Sequence, residues 1–112
     1  MDKLNQILKK IVEFRDEREW SKFHTLENLS KSISIESAEL LEHFQWGDEY
    51  DKGEISDELA DILIYSFLFA ETLDVNIIEI IEKKLEKNEK RFPVERVRGN
   101  SGRKTKIVDL DD

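Results

Sequence analysis

The chain has 112 residues, 38% of them hydrophobic and 39% charged, which suits one compact domain with a modest core. Its 18 Lys and Arg stand against 26 Asp and Glu, a formal charge of −8 that disfavours a surface built for nucleic-acid phosphates. A phosphate-bearing ligand would therefore need a bound divalent cation. The absence of cysteine excludes disulfides, cysteine–zinc sites, iron–sulfur clusters and thiol nucleophiles, and two histidines are too few for a histidine-rich metal centre.

Charged and apolar residues alternate from Asp2 onward, so no signal peptide is expected there. The longest apolar run, Ile62 to Ala70 broken by Ser66, is too short to cross a bilayer. The expectation is a cytoplasmic protein with neither a membrane nor a nucleic-acid polymer as partner. Leu4, Ile7, Leu8, Ile11 and Phe14 recur at helical spacing and predict a first helix over about residues 2–18. Thr25 is the N-cap expected for a second helix, whose apolar stripe runs Leu26, Leu29, Ile33, Leu40 and Phe44 and which should stop near Trp46-Gly47. The glycine-bounded segment 47–53 reads as a loop. A third helix is expected over about 53–73, with Ile62–Ala70 apolar on nearly every side and hence central and buried. Asp74 is expected to cap a fourth helix carrying Ile77, Ile78, Ile80, Ile81 and Leu85, which Pro93 ends at Phe92. Residues 94–112 are polar and read as an extended tail. The whole is an all-α bundle of four helices in a single domain, 1–112, whose leftover apolar faces favour self-association.

The informative residues are carboxylates at positions where the pattern asks for apolar side chains. The core-facing series of the second helix runs 26, 29, 33, 36, 40, 44, and position 36 is Glu36, with Glu39 one turn further on. On the third helix Glu58 and Asp61 repeat the i,i+3 spacing just before the most apolar stretch, so Asp61 is expected at least partly inside. Carboxylates near a low-dielectric core are costly unless a positive group sits among them. All-oxygen ligands without cysteine point to a hard cation, most simply Mg2+, with Mn2+ as a substitute. The competing reading is a solvated acidic face, common in so acidic a chain. A di-iron site needs Glu-x-x-His pairs, which the sequence lacks.

On the fourth helix Lys84, Asn88 and Arg91 fall at i, i+4, i+7 and share one face. A cation, an amide and a guanidinium in a row suit phosphate oxygens, although two solvated charges beside a satisfied amide would look the same. Trp20 and Trp46 flank the second helix, and Tyr65 lies one turn past Asp61. These rings read as core side chains unless something else assigns them, and His24 as a hydrogen-bonding residue near the helix start.

Three segments taken together resemble the MazG-like, all-α nucleoside triphosphate pyrophosphohydrolases: Glu36-Ser-Ala-Glu39, Glu58-Leu-Ala-Asp61, and Lys84-x-x-x-Asn88-x-x-Arg91-Phe92-Pro93. Trp20-Ser-Lys-Phe23-His24-x-x-x-Asn28-Leu29, Phe44-Gln45-Trp46 and the run to Tyr65 are most similar to the dCTP pyrophosphatase-like branch. The likeness extends from about residue 4 to Lys104. Three departures stand out: the 47–53 loop is short, Thr105 stands where the family often has tyrosine, and Ile11 stands where members use a polar residue near the base. The resemblance implies Mg2+-dependent cleavage of a (deoxy)nucleoside triphosphate between the α and β phosphates, releasing pyrophosphate, as nucleotide-pool house-cleaning. It implies that Glu36, Glu39, Glu58 and Asp61 hold the metal and that Glu36 or Glu39 orients the attacking water. Lys84, Asn88 and Arg91 would meet phosphate; Trp20, His24 and Trp46 the base; Tyr65 the sugar. Homodimers or dimer-of-dimers tetramers with pockets completed across subunits are also implied. Two alternatives stay open: a related pyrophosphatase acting on phosphoribosyl-ATP or dUTP, and a non-catalytic helical dimerisation module.

Overall fold

The computed structural model describes residues 2–100. Every regular element among them is helical: α1 (Lys3–Glu17), a 3-10 turn (Trp20–Lys22), α2 (Leu26–Glu42), α3 (Lys52–Leu73), α4 (Ile77–Arg91) and α5 (Val94–Val97). The all-α class expected from the sequence is therefore what the chain adopts. It divides after Val75 into two compact units.

In the first unit, short polar side chains begin each long helix. Asp2, Thr25 and Asp51 each accept a hydrogen bond from the backbone N–H three residues on, at 2.8, 3.1 and 3.0 Å. α2 packs chiefly against α3, and α1 packs against α3 and the 3-10 turn. Glu19 takes the left-handed conformation (φ 54°), turning the chain sharply from α1 into the 3-10 turn. Asn28 on α2 then donates from Nδ2 to the Phe23 carbonyl at 3.0 Å, tying that turn to the start of α2. Leu29 of α2 and Leu68 and Ala70 of α3 are the fully enclosed apolar residues. Ser66, the polar interruption in the apolar run of α3, donates to the Ile62 carbonyl one turn back, so its hydroxyl is satisfied within the helix.

Several expectations need correction. α2 ends at Glu42 rather than near Trp46, because residues 43–46 close in successive turns, with His43 and Phe44 bonding carbonyls three residues back. α3 is not enclosed: Leu59, Leu63 and Ile64 remain 49%, 45% and 37% exposed, since an all-round apolar helix exceeds what two neighbours can cover. Asp74 does not start α4. It closes α3 in the left-handed conformation (φ 60°, ψ 47°), while Val75 N–H bonds the Ala70 carbonyl in a Schellman-type ending.

In the second unit, Asn76 is the N-cap of α4, accepting from Glu79 N–H at 3.0 Å. Pro93 follows α4 as expected but opens the short helix α5, so residues 94–97 are not extended. The remainder of the expected tail, from residue 101, lies outside the described residues.

Candidate active site

The two acidic pairs meet where α2 packs on α3. One carboxylate oxygen from each of Glu36, Glu58 and Asp61 lies within 4.8 Å of the others. The members of each pair sit one turn apart on facing helices, which brings three of the four carboxylates to a single point. Glu36 and Glu58 are half-buried, and Glu58 Oε2 is enclosed without a hydrogen-bond donor. Asp61 is exposed rather than partly inside, because it stands at the edge where the cluster opens. Glu39, half-buried, lies outside this set of three but close enough to act on Glu36.

Like charges this close resist simultaneous ionisation. The Glu36 carboxyl is pushed up to about 7, first by sharing a hydrogen bond with Glu58, then by partial burial and by Glu39. Three convergent carboxylates, one with an enclosed oxygen, whose mutual repulsion keeps one carboxyl partly protonated near neutral pH, are the features of a site suited to a hard divalent cation. The donor set fits Mg2+, or Mn2+ in its place.

A cavity of about 480 Å³ adjoins this cluster, lined by Ile7, Lys10, Ile11 and Phe14 of α1, Trp20 and His24, and Asp61, Ile64, Tyr65 and Leu68 of α3. Asp61 thus belongs to both the cavity and the carboxylate cluster. Tyr65 links them too: burial, then the charges of Glu36, Asp61 and Glu39, raise its phenol pKa and keep it protonated. His24 is held neutral, first by desolvation and then by the Arg15 charge, and its Nδ1 is enclosed without a partner. Trp20 meets Phe14 edge-on, with ring centroids 5.7 Å apart at 77°, and lies 6.4 Å from the His24 ring.

Of the aromatic residues singled out in the sequence, Trp20, His24 and Tyr65 share this cavity. Trp46 does not. It is 91% exposed and lines a separate hollow of about 410 Å³ with His43, Gly47, Asp48 and Glu49, which excludes the reading of Trp46 as a core side chain within this chain. Lys84, Asn88 and Arg91 lie on α4 as expected, with Asn88 and Arg91 half-buried. Sequence reasoning placed Ile11 of the α1 wall near the base, through the family resemblance, but missed Ile7, Lys10 and Phe14. Their helical spacing was visible, but it announces an apolar face without saying that the face lines a cavity.

A family model described as MazG-like matches residues 31–107, a stretch that spans both acidic pairs and the charged face of α4. The chain belongs to the MazG-like family. This MazG-like chain is also 31% identical to dCTP pyrophosphatase 1 of Mus musculus over 114 residues, covering 93% of itself and 67% of that protein. Its identity to dCTP pyrophosphatase 1 of Homo sapiens is 30% with the same coverage. A crystal structure of a pyrophosphatase from Archaeoglobus fulgidus is similar with 43% identity and a TM-score of 0.76, over 83% of this chain and 94% of that one. With the helical fold, these likenesses support the enzyme class expected from the sequence, a nucleoside triphosphate pyrophosphohydrolase. No helix among the described residues is long and apolar enough to cross a membrane.

Proposed function

We propose that this MazG-like chain hydrolyses deoxynucleoside triphosphates of the dCTP type to the monophosphate and pyrophosphate, with Mg2+ held by Glu36, Glu58 and Asp61 and supported by Glu39. The observation that carries the reading is the position of Asp61, shared by the carboxylate cluster and an aromatic-lined cavity of about 480 Å³, roomy enough for a nucleotide base. A triphosphate needs both: a cation site for its oxygens and an apolar recess for its base.

The bound cation would polarise phosphoryl oxygens and ease formation of the attacking hydroxide. The protein's own groups do the rest. Glu39 acts on Glu36 yet stands outside the three-oxygen cluster, which supports a role in orienting the attacking water rather than in ligation alone. Trp20 offers a ring face to the base, and the neutral His24 can hydrogen-bond the base's edge through one ring nitrogen. Tyr65, bulky and protonated between cavity and cluster, stands at the sugar and disfavours a 2′-hydroxyl. Lys84 and Asn88, with Arg91, grip phosphate oxygens and stabilise charge on the departing pyrophosphate.

The working form is a homodimer or a dimer-of-dimers tetramer. Ile35 and Leu41 of α2 and Leu59 and Leu63 of α3 are 45–71% exposed, apolar side chains that self-association would cover. Trp46 would take part in base recognition from such an assembled pocket. The test is a panel of dNTPs and NTPs with Mg2+, read by pyrophosphate release. A cytosine deoxynucleotide is expected to give the highest kcat/KM, and equal turnover of ribo- and deoxynucleotides would overturn the role given to Tyr65.

A further inference from the structure

The cavity's aromatic wall is braced from behind by a residue that does not line it. Arg18, one residue past α1, places its guanidinium carbon 3.7 Å from the centre of the Phe14 ring and 6.0 Å from that of Trp20. The same guanidinium donates from Nη1 to the Phe14 carbonyl at 3.0 Å, so its position over the ring is tied by a hydrogen bond to that residue's own backbone. Phe14 in turn presses edge-on against Trp20 at 5.7 Å, and Trp20 leans on His24. Phe14, Trp20 and His24 all line the cavity, whereas Arg18 does not. Between Arg18 and Trp20 the backbone turns through the left-handed Glu19, which folds the Trp20 ring back over the end of α1. A tryptophan at a short 3-10 turn, 42% exposed, otherwise has little to hold its side chain in one rotamer.

From this geometry we infer that Arg18 is a positioning residue that clamps Phe14 and Trp20 into the orientation in which the cavity receives a flat ring. The inference rests on the proposed nucleotide-binding role of the cavity, but the clamp itself is a property of the free protein. A simpler role would be capping the last carbonyls of α1 with a positive charge. Lysine can supply that cap; it cannot supply a planar group lying on one ring while bonded to a fixed carbonyl.

The test compares Arg18→Lys and Arg18→Met with the unaltered protein in two measurements. In the first, each change is made beside Trp46→Phe, leaving Trp20 as the sole tryptophan, and acrylamide quenching and emission anisotropy are read without nucleotide. Both variants are expected to raise the quenching constant and lower the anisotropy, while the helical circular dichroism stays unchanged. In the second, made with Trp46 intact, both are expected to raise KM for the deoxynucleoside triphosphate about three- to tenfold, the scale of a cation–aromatic contact, with kcat changed less than about twofold. Unaltered quenching and anisotropy in Arg18→Lys would overturn the clamp and return Arg18 to a helix cap. A changed Trp20 signal in a protein that binds no nucleotide would uphold the clamp and overturn the proposed function instead. A changed signal with unaltered KM in a protein that does bind nucleotide would overturn the part of the inference that links the clamp to ligand reception.

Discussion

Metal binding at the carboxylate cluster should be coupled to a proton near neutral pH. Glu36, pushed up to about 7 by Glu58 and Glu39, must lose its proton before it can ligate a cation. With that pKa, about nine-tenths of the group is protonated at pH 6 and about one-tenth at pH 8, so apparent Mg2+ affinity should rise about tenfold from pH 6 to pH 8. A glutamate with the ordinary value of 4.5 would change affinity by only a few per cent over the same range. Calorimetric titration at pH 6, 7 and 8, repeated in buffers of different ionisation enthalpy, measures both the affinity and the proton released. Glu58→Gln removes the largest cause of the shift, so it should weaken binding and also flatten its pH dependence. The metal-free protein reports the same group through stability. Because the folded chain holds a proton that the unfolded chain has lost between about pH 4.5 and 7, stability should decline as pH rises through that window. Added Mg2+ should recover it above pH 7. Affinity that is constant from pH 6 to pH 8, with no proton released, would refute the assignment of Glu36 as a crowded ligand.

Two further substitutions separate the roles of neighbouring residues. Glu39→Gln should lower kcat by about two to four powers of ten, the range for a positioned acid–base group, while helical content and the Mg2+-induced rise in melting temperature persist. Trp46→Ala should cost under about 1 kcal/mol in chemical denaturation, because so exposed a ring has little buried surface to lose, and should raise KM about five- to 150-fold if it stacks on the base. A loss of about 3–5 kcal/mol, the cost of truncating an enclosed tryptophan, would contradict that placement.

The fold was legible wherever a short polar residue preceded an apolar period. Thr25 caps α2 as its side chain predicts, and the class of the fold follows from the periodicity alone. Asp74 misled because Asp and Asn both cap helices, and 74 and 76 stand only two residues apart. The deciding signal was available: Asn76-Ile-Ile-Glu79 carries an acidic residue at the third helical position, as a capping box does, and Asp74 has nothing equivalent. The carboxylate site was legible because Glu36 interrupts an apolar stripe, a break that periodicity exposes. The exposure of Asp61 was not, since it depends on how far α1 and α2 reach along α3. Nor could periodicity distinguish an apolar face that fills a core from one that lines a cavity, and Ile7 and Ile11 belong to the second kind.

The central claim is that this MazG-like chain breaks the bond between the α and β phosphates at a carboxylate-bound cation. The most direct test incubates the purified chain with dCTP and Mg2+ and resolves the products by anion-exchange chromatography, with a parallel sample in excess EDTA. The account predicts dCMP and pyrophosphate in equal amounts, and no turnover in the chelated sample. Formation of dCDP and orthophosphate, or undiminished turnover after chelation, would contradict it.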